Sequence, residues 1–249
     1  MITIKTPEAL ARMRDAGRIT ALARAEGAAM VREGVTTAQI NKKIHDVIIS
    51  HGAKPSFLGY GGFPASACVS VNEQVIHGIP SGRVLQNGDI VKIDVGAIYK
   101  GWQGDCACTV AVGEVSEEAA KLIAVTEQSF YKGIEKAFCG SRLGDIGSAI
   151  EEYVVQNGFS VVRDYVGHGI GREMHEDPSV PNYGRPGHGI ALREGMTLAI
   201  EPMVNIGTWK VKSLSDGWTV VTLDGSLSAH YENTVAITAD GPEILTVSN

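Results

Sequence analysis

The sequence contains little that would brace it from outside its own core, and little that would hold it on a charged or lipid surface. Four cysteines in 249 residues (Cys68, Cys106, Cys108 and Cys139) are too few for a disulfide scaffold and form no CxxC pair, so they read as reduced thiols. No apolar run approaches the ~18 residues needed to span a bilayer. Positive charge is not in excess either. Lysines and arginines number 22 against 28 aspartates and glutamates, a formal net charge of −6, which disfavours a protein whose main task is coating nucleic acid or an anionic membrane. The opening residues MITIKTPEALARMRDAG lack the basic, apolar and small-residue order of a secretory signal, which makes the cytoplasm the expected location. No proline-rich or serine-rich linker divides the chain, and one domain over residues 1–249 is expected.

What is present is glycine, 30 in all, clustered at 59–62, 167–171 and 184–189 where the backbone must turn or approach something closely. Thr6-Pro7-Glu8 predicts a helix start running to about Glu33-Gly34. Thr36 with Gln39 forms a capping box for a second helix ending at His51-Gly52, on which His45 and His51 are expected to be exposed. Ser116 caps a third helix to about Phe138. Leu143, Ile146, Ile150 and Val154 line a fourth that stops at Gly158. Between and after these lie β-branched runs: ACVSV, DIVKIDVGAIY and DCACTVAV, then VVRDYVGHGIG, GMTLAIEPMV, WTVVTL and SAHYENTVAIT. Helices, strands, helices, strands predict an α+β fold of two similar halves.

The segment VKIDVGAIYKGWQGDCACTV reads as a hairpin. Folded about Tyr99-Lys100, it pairs Ile93 with Cys106, Val91 with Cys108 and Asp94 with Asp105, leaving one face apolar throughout. A one-residue slip would break that match. On the other face two carboxylates oppose each other at about 5 Å, which is destabilising unless they share a proton or a cation. Further ligand types follow downstream. His168 sits between glycines, Glu201 is held extended by Pro202, and Glu232 lies in AHYENTVAI. Taken singly, His168 is a turn histidine and the two glutamates are strand-end charges. If all five converge, two divalent cations balance the four carboxylates, and an oxygen-rich set with one imidazole favours Mn, Fe(II), Co or Zn.

The motifs DVGAIYKGWQGD, GHGIGREMHEDP, MTLAIEPM and SAHYENT resemble those of the type I methionine aminopeptidases, and the resemblance runs over essentially the whole chain. It implies a pita-bread fold, with two pseudo-twofold-related halves and an antiparallel sheet covered by helices. It also implies removal of the initiator methionine from nascent polypeptides, with preference for a small second residue. Carried over position by position, Asp94, Asp105, His168, Glu201 and Glu232 become ligands of two divalent metals, with Asp105 and Glu232 bridging. Glu201 becomes the general base and acid, and His77 and His175 the assisting catalytic histidines. The sequence His175-Glu176 is not a zincin HExxH, since no second histidine follows one turn on.

Phe57, Tyr60, Phe63, Cys68, His77, Met174, His175 and Trp218 match the positions that form the family's methionine pocket, with aromatic edges suited to a thioether. Phe63 and Met174 stand where better-known members carry Tyr and Phe. Asn72, Gln74 and Ser228 match positions where some members bind a monovalent cation. His230, two residues before Glu232 and on the same strand face, stands where many relatives carry Gln and is expected to support the ligands without being one. The resemblance further implies a monomer that meets the ribosome transiently; Lys210 and Lys212 lie where relatives have a basic loop. Proline-specific aminopeptidases and prolidases share the ligand order. They carry an additional N-terminal domain, whereas 93 residues precede Asp94 here. Type II methionine enzymes insert a helical segment before the last ligand strand, for which the stretch between Glu201 and Glu232 leaves no room. Pita-bread binding modules that have lost their ligands are the non-enzymatic alternative, and the intact ligand set argues against it.

Overall fold

The computed structural model describes residues 1–248. Each helix begins where a side chain can take over a free N–H group. Thr6 accepts from Ala9 N ahead of α1 (Pro7–Ala29), and Thr36 and Gln39 close a reciprocal box ahead of α2 (Thr37–Ser50). Ser116 accepts from Ala119 N ahead of α3 (Glu117–Ile134), while Asp145 accepts from Arg142 N at the start of α4 (Leu143–Gln156). Two of these helices stop short of the expected ends. The chain after α1 is turned away by Gly34, whose N–H bonds to Leu85 O, and the chain after α3 tightens into i→i−3 bonds at Lys136 and Ala137. His51 is exposed as expected, whereas His45 is half-buried with Nδ1 on Ser66 Oγ.

A nine-stranded sheet carries the molecule. Its path runs from Lys54–Pro55 through Ile90–Tyr99, Trp102–Ala111, Glu232–Thr238, Thr197–Ile200 and Gly167–Gly169 to Glu176–Val180, with Ala67–Val71 and Gly241–Ile244 paired alongside. Every pairing in it is antiparallel. Strands 67–71 and 90–99 bury Val69, Val71, Val91, Ile93 and Val95 against Ile19, Ile40, Ile44 and Ile48 of α1 and α2. A second cluster joins Leu122, Phe130, Ile146 and Ile150 of α3 and α4 to Leu198, Ile200, Val235 and Ile237. The expectation of an α+β fold with two helix-covered halves is met.

The two halves join where Glu232 pairs with Ala107 and Asn233 with Cys106. Beyond that, Thr234 Oγ1 accepts from Asp105 N at 3.0 Å and donates to Asp105 O at 2.9 Å. Arg24 of α1 spans the join from behind, donating to Ala107 O, Glu232 O and Asn233 Oδ1.

The hairpin register differs from the expected one. Tyr99 pairs with Trp102, so the turn is Lys100-Gly101 rather than Tyr99-Lys100, and Ile93 opposes Cys108 while Asp94 opposes Ala107. Both turn residues have positive φ (49° and 78°), as a two-residue hairpin turn of matching twist requires, and glycine supplies one of them without steric cost. Folding about Tyr99-Lys100 would have forced an aromatic residue into that conformation. The displacement is an even number of residues, so every side chain keeps its face and the cysteines remain on the apolar side. Asp94 and Asp105 become diagonal neighbours instead of directly opposed ones.

Several expected strands are interrupted. GMTLAIEPMV divides into Thr197–Ile200 and Met203–Asn205 around Glu201-Pro202, where proline offers no N–H. SAHYENTVAIT divides at Tyr231, whose N–H leaves the ladder for Pro202 O. The run 161–171 divides as well: Ser160–Val161 pairs with Met203–Asn205 in a separate sheet, and Gly167–Gly169 joins the large one. Among the described residues no helix is long and apolar enough to cross a membrane.

Candidate metal centre

Both interruptions serve the same place. Breaking the ladder at Glu201 and at Tyr231 releases two strand ends beside the polar face of the hairpin, and five side chains meet there. His168 Nε2 lies 3.7 Å from Asp105 Oδ2 and 3.6 Å from Glu201 Oε1. Asp105, His168 and Glu232 offer one ligand atom each within 4.8 Å of one another, and so do Asp94, His230 and Glu232. The backbone at His168 is pressed closely between its neighbours. A Cβ at Gly167 would stand 2.3 Å from Ala199 O and one at Gly169 2.1 Å from Asp177 O, so glycine is required on both sides. Asn182 Nδ2 donates to Glu201 O and fixes the backbone of that residue.

The hydrogen bonding leaves the ligand atoms bare. His168 Nδ1 lies 2.8 Å from Gly169 O, an acceptor, so Nδ1 carries the hydrogen and Nε2 presents its lone pair to the carboxylates. Asp94 Oδ1, Asp105 Oδ1, Glu232 Oε1 and both ring nitrogens of His230 are buried without a hydrogen-bond partner. Burial, reinforced by the neighbouring negative charges, pushes Asp105, Glu201 and Glu232 well above the usual carboxylate range. Burial also lifts Asp94 to about 7, against hydrogen bonds with Cys68 and Asp105 that hold it down. It lowers His168 to about 4, with His175 adding to the effect, and His230 to about 3. Unpaired buried oxygens at this density are costly in a metal-free chain. Oxygen donors with a neutral imidazole fit hard or borderline divalent ions, so the residues present suit a metal.

Above this floor opens a cavity of about 130 Å³ lined by Phe57, Tyr60, Phe63, Cys68, His77, His168, His175 and Trp218, with the four carboxylates at its base. Phe63 meets Trp218 edge to face at 5.1 Å. Tyr60 OH lies 2.7 Å from His175 Nδ1, and the His175 ring is 4.3 Å from that of His168. His77 has positive φ and packs edge-on against Tyr165; burial lowers it to about 4. Met174 is the exception among the residues expected in the wall. Its place is in a buried cluster with Met13, Trp102 and Ile170, against which Phe57 packs, so Met174 backs the wall instead of forming it.

His230 lies beside the ligands on the shared strand face: its Nε2 is 3.6 Å from Glu232 Oε2 and 3.8 Å from Glu201 Oε2. The signal was its position two residues before Glu232, on the same strand face. The positions matched to a monovalent cation are engaged otherwise. Asn72 O accepts from Lys92 Nζ and from Ser228 N, Gln74 Oε1 accepts from Val71 N, and Ser228 Oγ donates to Val204 O.

The model of metallopeptidase family M24 matches residues 11–239. A methionine aminopeptidase from Clostridium acetobutylicum is 62% identical, with 99% of each chain covered. The crystal structure of a methionine aminopeptidase from Thermotoga maritima superposes with a TM-score of 0.97 at 49% identity, again over 99% of each chain. The prolidase from Pyrococcus furiosus shares the fold at a TM-score of 0.79 and 25% identity, over 99% of this chain and 66% of that one. These neighbours have the pita-bread fold, and this chain has it too.

Proposed function

The chain belongs to metallopeptidase family M24, and from that premise we propose that it is an aminopeptidase removing the N-terminal methionine of nascent proteins and peptides whose second residue is small. The observation that carries this reading is the floor of the cleft, where four buried carboxyls and a bare imidazole nitrogen lie beneath a wall of aromatic and sulfur groups. In this reading Asp94, Asp105, His168, Glu201 and Glu232 would hold two divalent ions, Co, Mn, Fe(II) or Zn. Such ions supply Lewis acidity toward the scissile carbonyl and a water activated at neutral pH.

The chain's own residues do the rest. Burial and the adjacent aspartates raise the proton affinity of Glu201, so its carboxylate is suited to take a proton from water and pass it to the leaving amine. If the Tyr60 hydroxyl, 2.7 Å from Nδ1, is the donor of that pair, His175 carries its hydrogen on Nε2, the donor available to a developing oxyanion; loss of such a donor typically costs about 100-fold or more in rate. His77, kept neutral by burial, contacts the scissile peptide. Phe57, Tyr60, Phe63, Cys68 and Trp218 exclude water and receive the thioether, backed by Met174. His230 steadies Glu201 and Glu232.

We place the protein in the cytoplasm as a monomeric single domain, meeting the ribosome transiently through the exposed Lys210 and Lys212. Hydrolysis of a Met-Ala-Ser peptide with added Mn or Co tests the activity, with Asp94→Ala as control. Equal rates for the two proteins would refute the enzyme reading. Faster cleavage of an Xaa-Pro peptide would move the protein to the prolidases.

A further inference from the structure

Lys92 is a fully buried lysine on the strand that carries Asp94, two residues before it and on the same face. Its Nζ donates to the main-chain carbonyl of Asn72 at 2.7 Å. That carbonyl also accepts from Ser228 N at 3.2 Å, so one oxygen joins three segments. The first is the 72–73 turn, which leads through Gln74–Ile76 to His77. The second is the strand of Asp94. The third is Ser228–His230, which leads to Glu232.

The turn is held rigidly around this oxygen. Asn72 has a left-handed φ of 56°, its Nδ2 donates to Asp89 Oδ1 at 2.7 Å, and its Oδ1 accepts from Ile90 N at 3.0 Å. Glu73 O accepts from Thr222 N at 3.0 Å, tying the same turn to the segment that follows Trp218. A main-chain carbonyl aimed into a buried junction is the kind of group on which alkali cations are coordinated. Here the chain fills the position with its own N–H donor. Burial pulls the lysine well below its usual value while Glu73 and Asp89 pull it up, and Nζ donates to the carbonyl in either protonation state.

We propose that Lys92 Nζ takes the place of a monovalent cation at this junction, as a positioning residue that keeps the segments of His77, Asp94 and Glu232 in register. The protein then works without an alkali cation, in contrast to the expectation of one held at Asn72, Gln74 and Ser228. Lys92 touches no substrate, and its effect passes through the Asn72 carbonyl.

The activity part of the test rests on the aminopeptidase reading, and the melting part does not. Wild type and Lys92→Ser are compared as Mn-loaded proteins in choline chloride, potassium chloride and sodium chloride at equal ionic strength. Thermal melting of each is followed in parallel. For wild type, kcat/KM on Met-Ala-Ser and the melting temperature are expected to be the same in all three salts. For Lys92→Ser, kcat/KM is expected to fall by about tenfold or more in choline chloride, as a small misplacement of reacting groups produces, and to recover in potassium or sodium chloride together with a rise in melting temperature. A side chain that merely fills space would show no such recovery. Should Lys92→Ser fail to fold in choline chloride, Lys92→Met, which fills the space without a donor, is expected to fold and to stay impaired in every salt. Alkali-dependent melting or activity of the wild type, or a folded Lys92→Ser protein indifferent to the three salts, would overturn the proposal. If neither protein cleaves the peptide, the aminopeptidase reading fails and the melting comparison still decides the role of Lys92.

Discussion

The two faces of the Ile90–Tyr99 and Trp102–Ala111 hairpin are built from alternating residues of the same strands, and they are opposite in kind. One face sets Val91, Ile93, Val95 and Ala97 against α1 and α2, with the side chains buried and in mutual contact. The other carries Asp94 and Asp105, also buried, each with one carboxyl oxygen, Oδ1, that no donor reaches. Backbone, burial and hydrogen-bond ladder are shared. Core and site therefore differ only in whether the buried atoms find partners within the chain. The apolar face is complete without a ligand, and the acidic face is complete only with cations.

Substitution on each face should separate these roles. Asp105→Ala is expected to lower kcat/KM for a Met-Ala-Ser peptide on the order of 1000-fold or more, beyond the 10–100-fold typical of a residue that only orients a ligand. Ile93→Ala, from the other face, should leave kcat/KM nearly unchanged at temperatures where it is folded. A comparable loss in both would break the contrast.

Stability should order the same pair in reverse. Ile93→Ala is expected to lose about 2–5 kcal/mol in urea unfolding, as buried isoleucine truncations do. In the metal-free chain Asp105→Ala should lose far less, since it removes a carboxyl whose Oδ1 has no hydrogen-bond partner and which burial and the neighbouring negative charges disfavour as an anion.

The pH dependence sharpens the contrast further. An unfolded aspartate titrates near 3.9, and Asp94 in the metal-free fold does so at about 7. The folded value lies above the unfolded one, so the contribution is present below about pH 4 and is lost as the pH rises through 7. His77 and His168 at about 4 and His230 at about 3 act in the opposite sense, losing stability as the pH falls from the unfolded value of about 6.5. In chelator, Asp94→Asn is therefore expected to gain on wild type at pH 8, by on the order of 4 kcal/mol at most, and to match it at pH 4. Urea titrations at the two pH values check this. A gain at pH 4 alone would reverse the sign of the argument.

The smallest effect concerns the thiols. Cys68 and Cys106 are buried, and Cys139 is exposed. Cys108 is half-buried at the back of the hairpin, where burial pushes it up to about 11. Brief treatment of the native protein with a thiol reagent is expected to give one rapid adduct, at Cys139 by peptide mass spectrometry. Early labelling of Cys106 would mean that the apolar face opens as readily as the acidic one.

Much of this contrast is legible in the chain itself. Alternation in VKIDVGAIY and DCACTV assigns each residue to its face, and a two-residue register displacement leaves that assignment intact. The strand pattern runs through Tyr99 and so points to a turn one residue early, whereas the residue that tolerates positive φ is Gly101. The breaks at Glu201 and Tyr231 were less visible, since hydrophobic periodicity continues across them and the departure of Tyr231 N to Pro202 O is a contact made only after folding. Met174 shows the same limit. A position matched to the pocket becomes the support of Phe57, because a flexible thioether can settle one layer deeper. Lys92, a charged residue amid β-branched neighbours, gave no sign of its partner, since nothing local links it to the Asn72 carbonyl.

The join between the halves has a mechanical meaning. Asp94 and Asp105 lie on one side of the line where Glu232 meets Ala107, and His168, Glu201 and Glu232 lie on the other. A pair of cations held by both sets would act as a rivet through a hinge, and chelation should loosen amide protection first along that line rather than in the helices. Tightness of the cleft and loading of the site then become one variable.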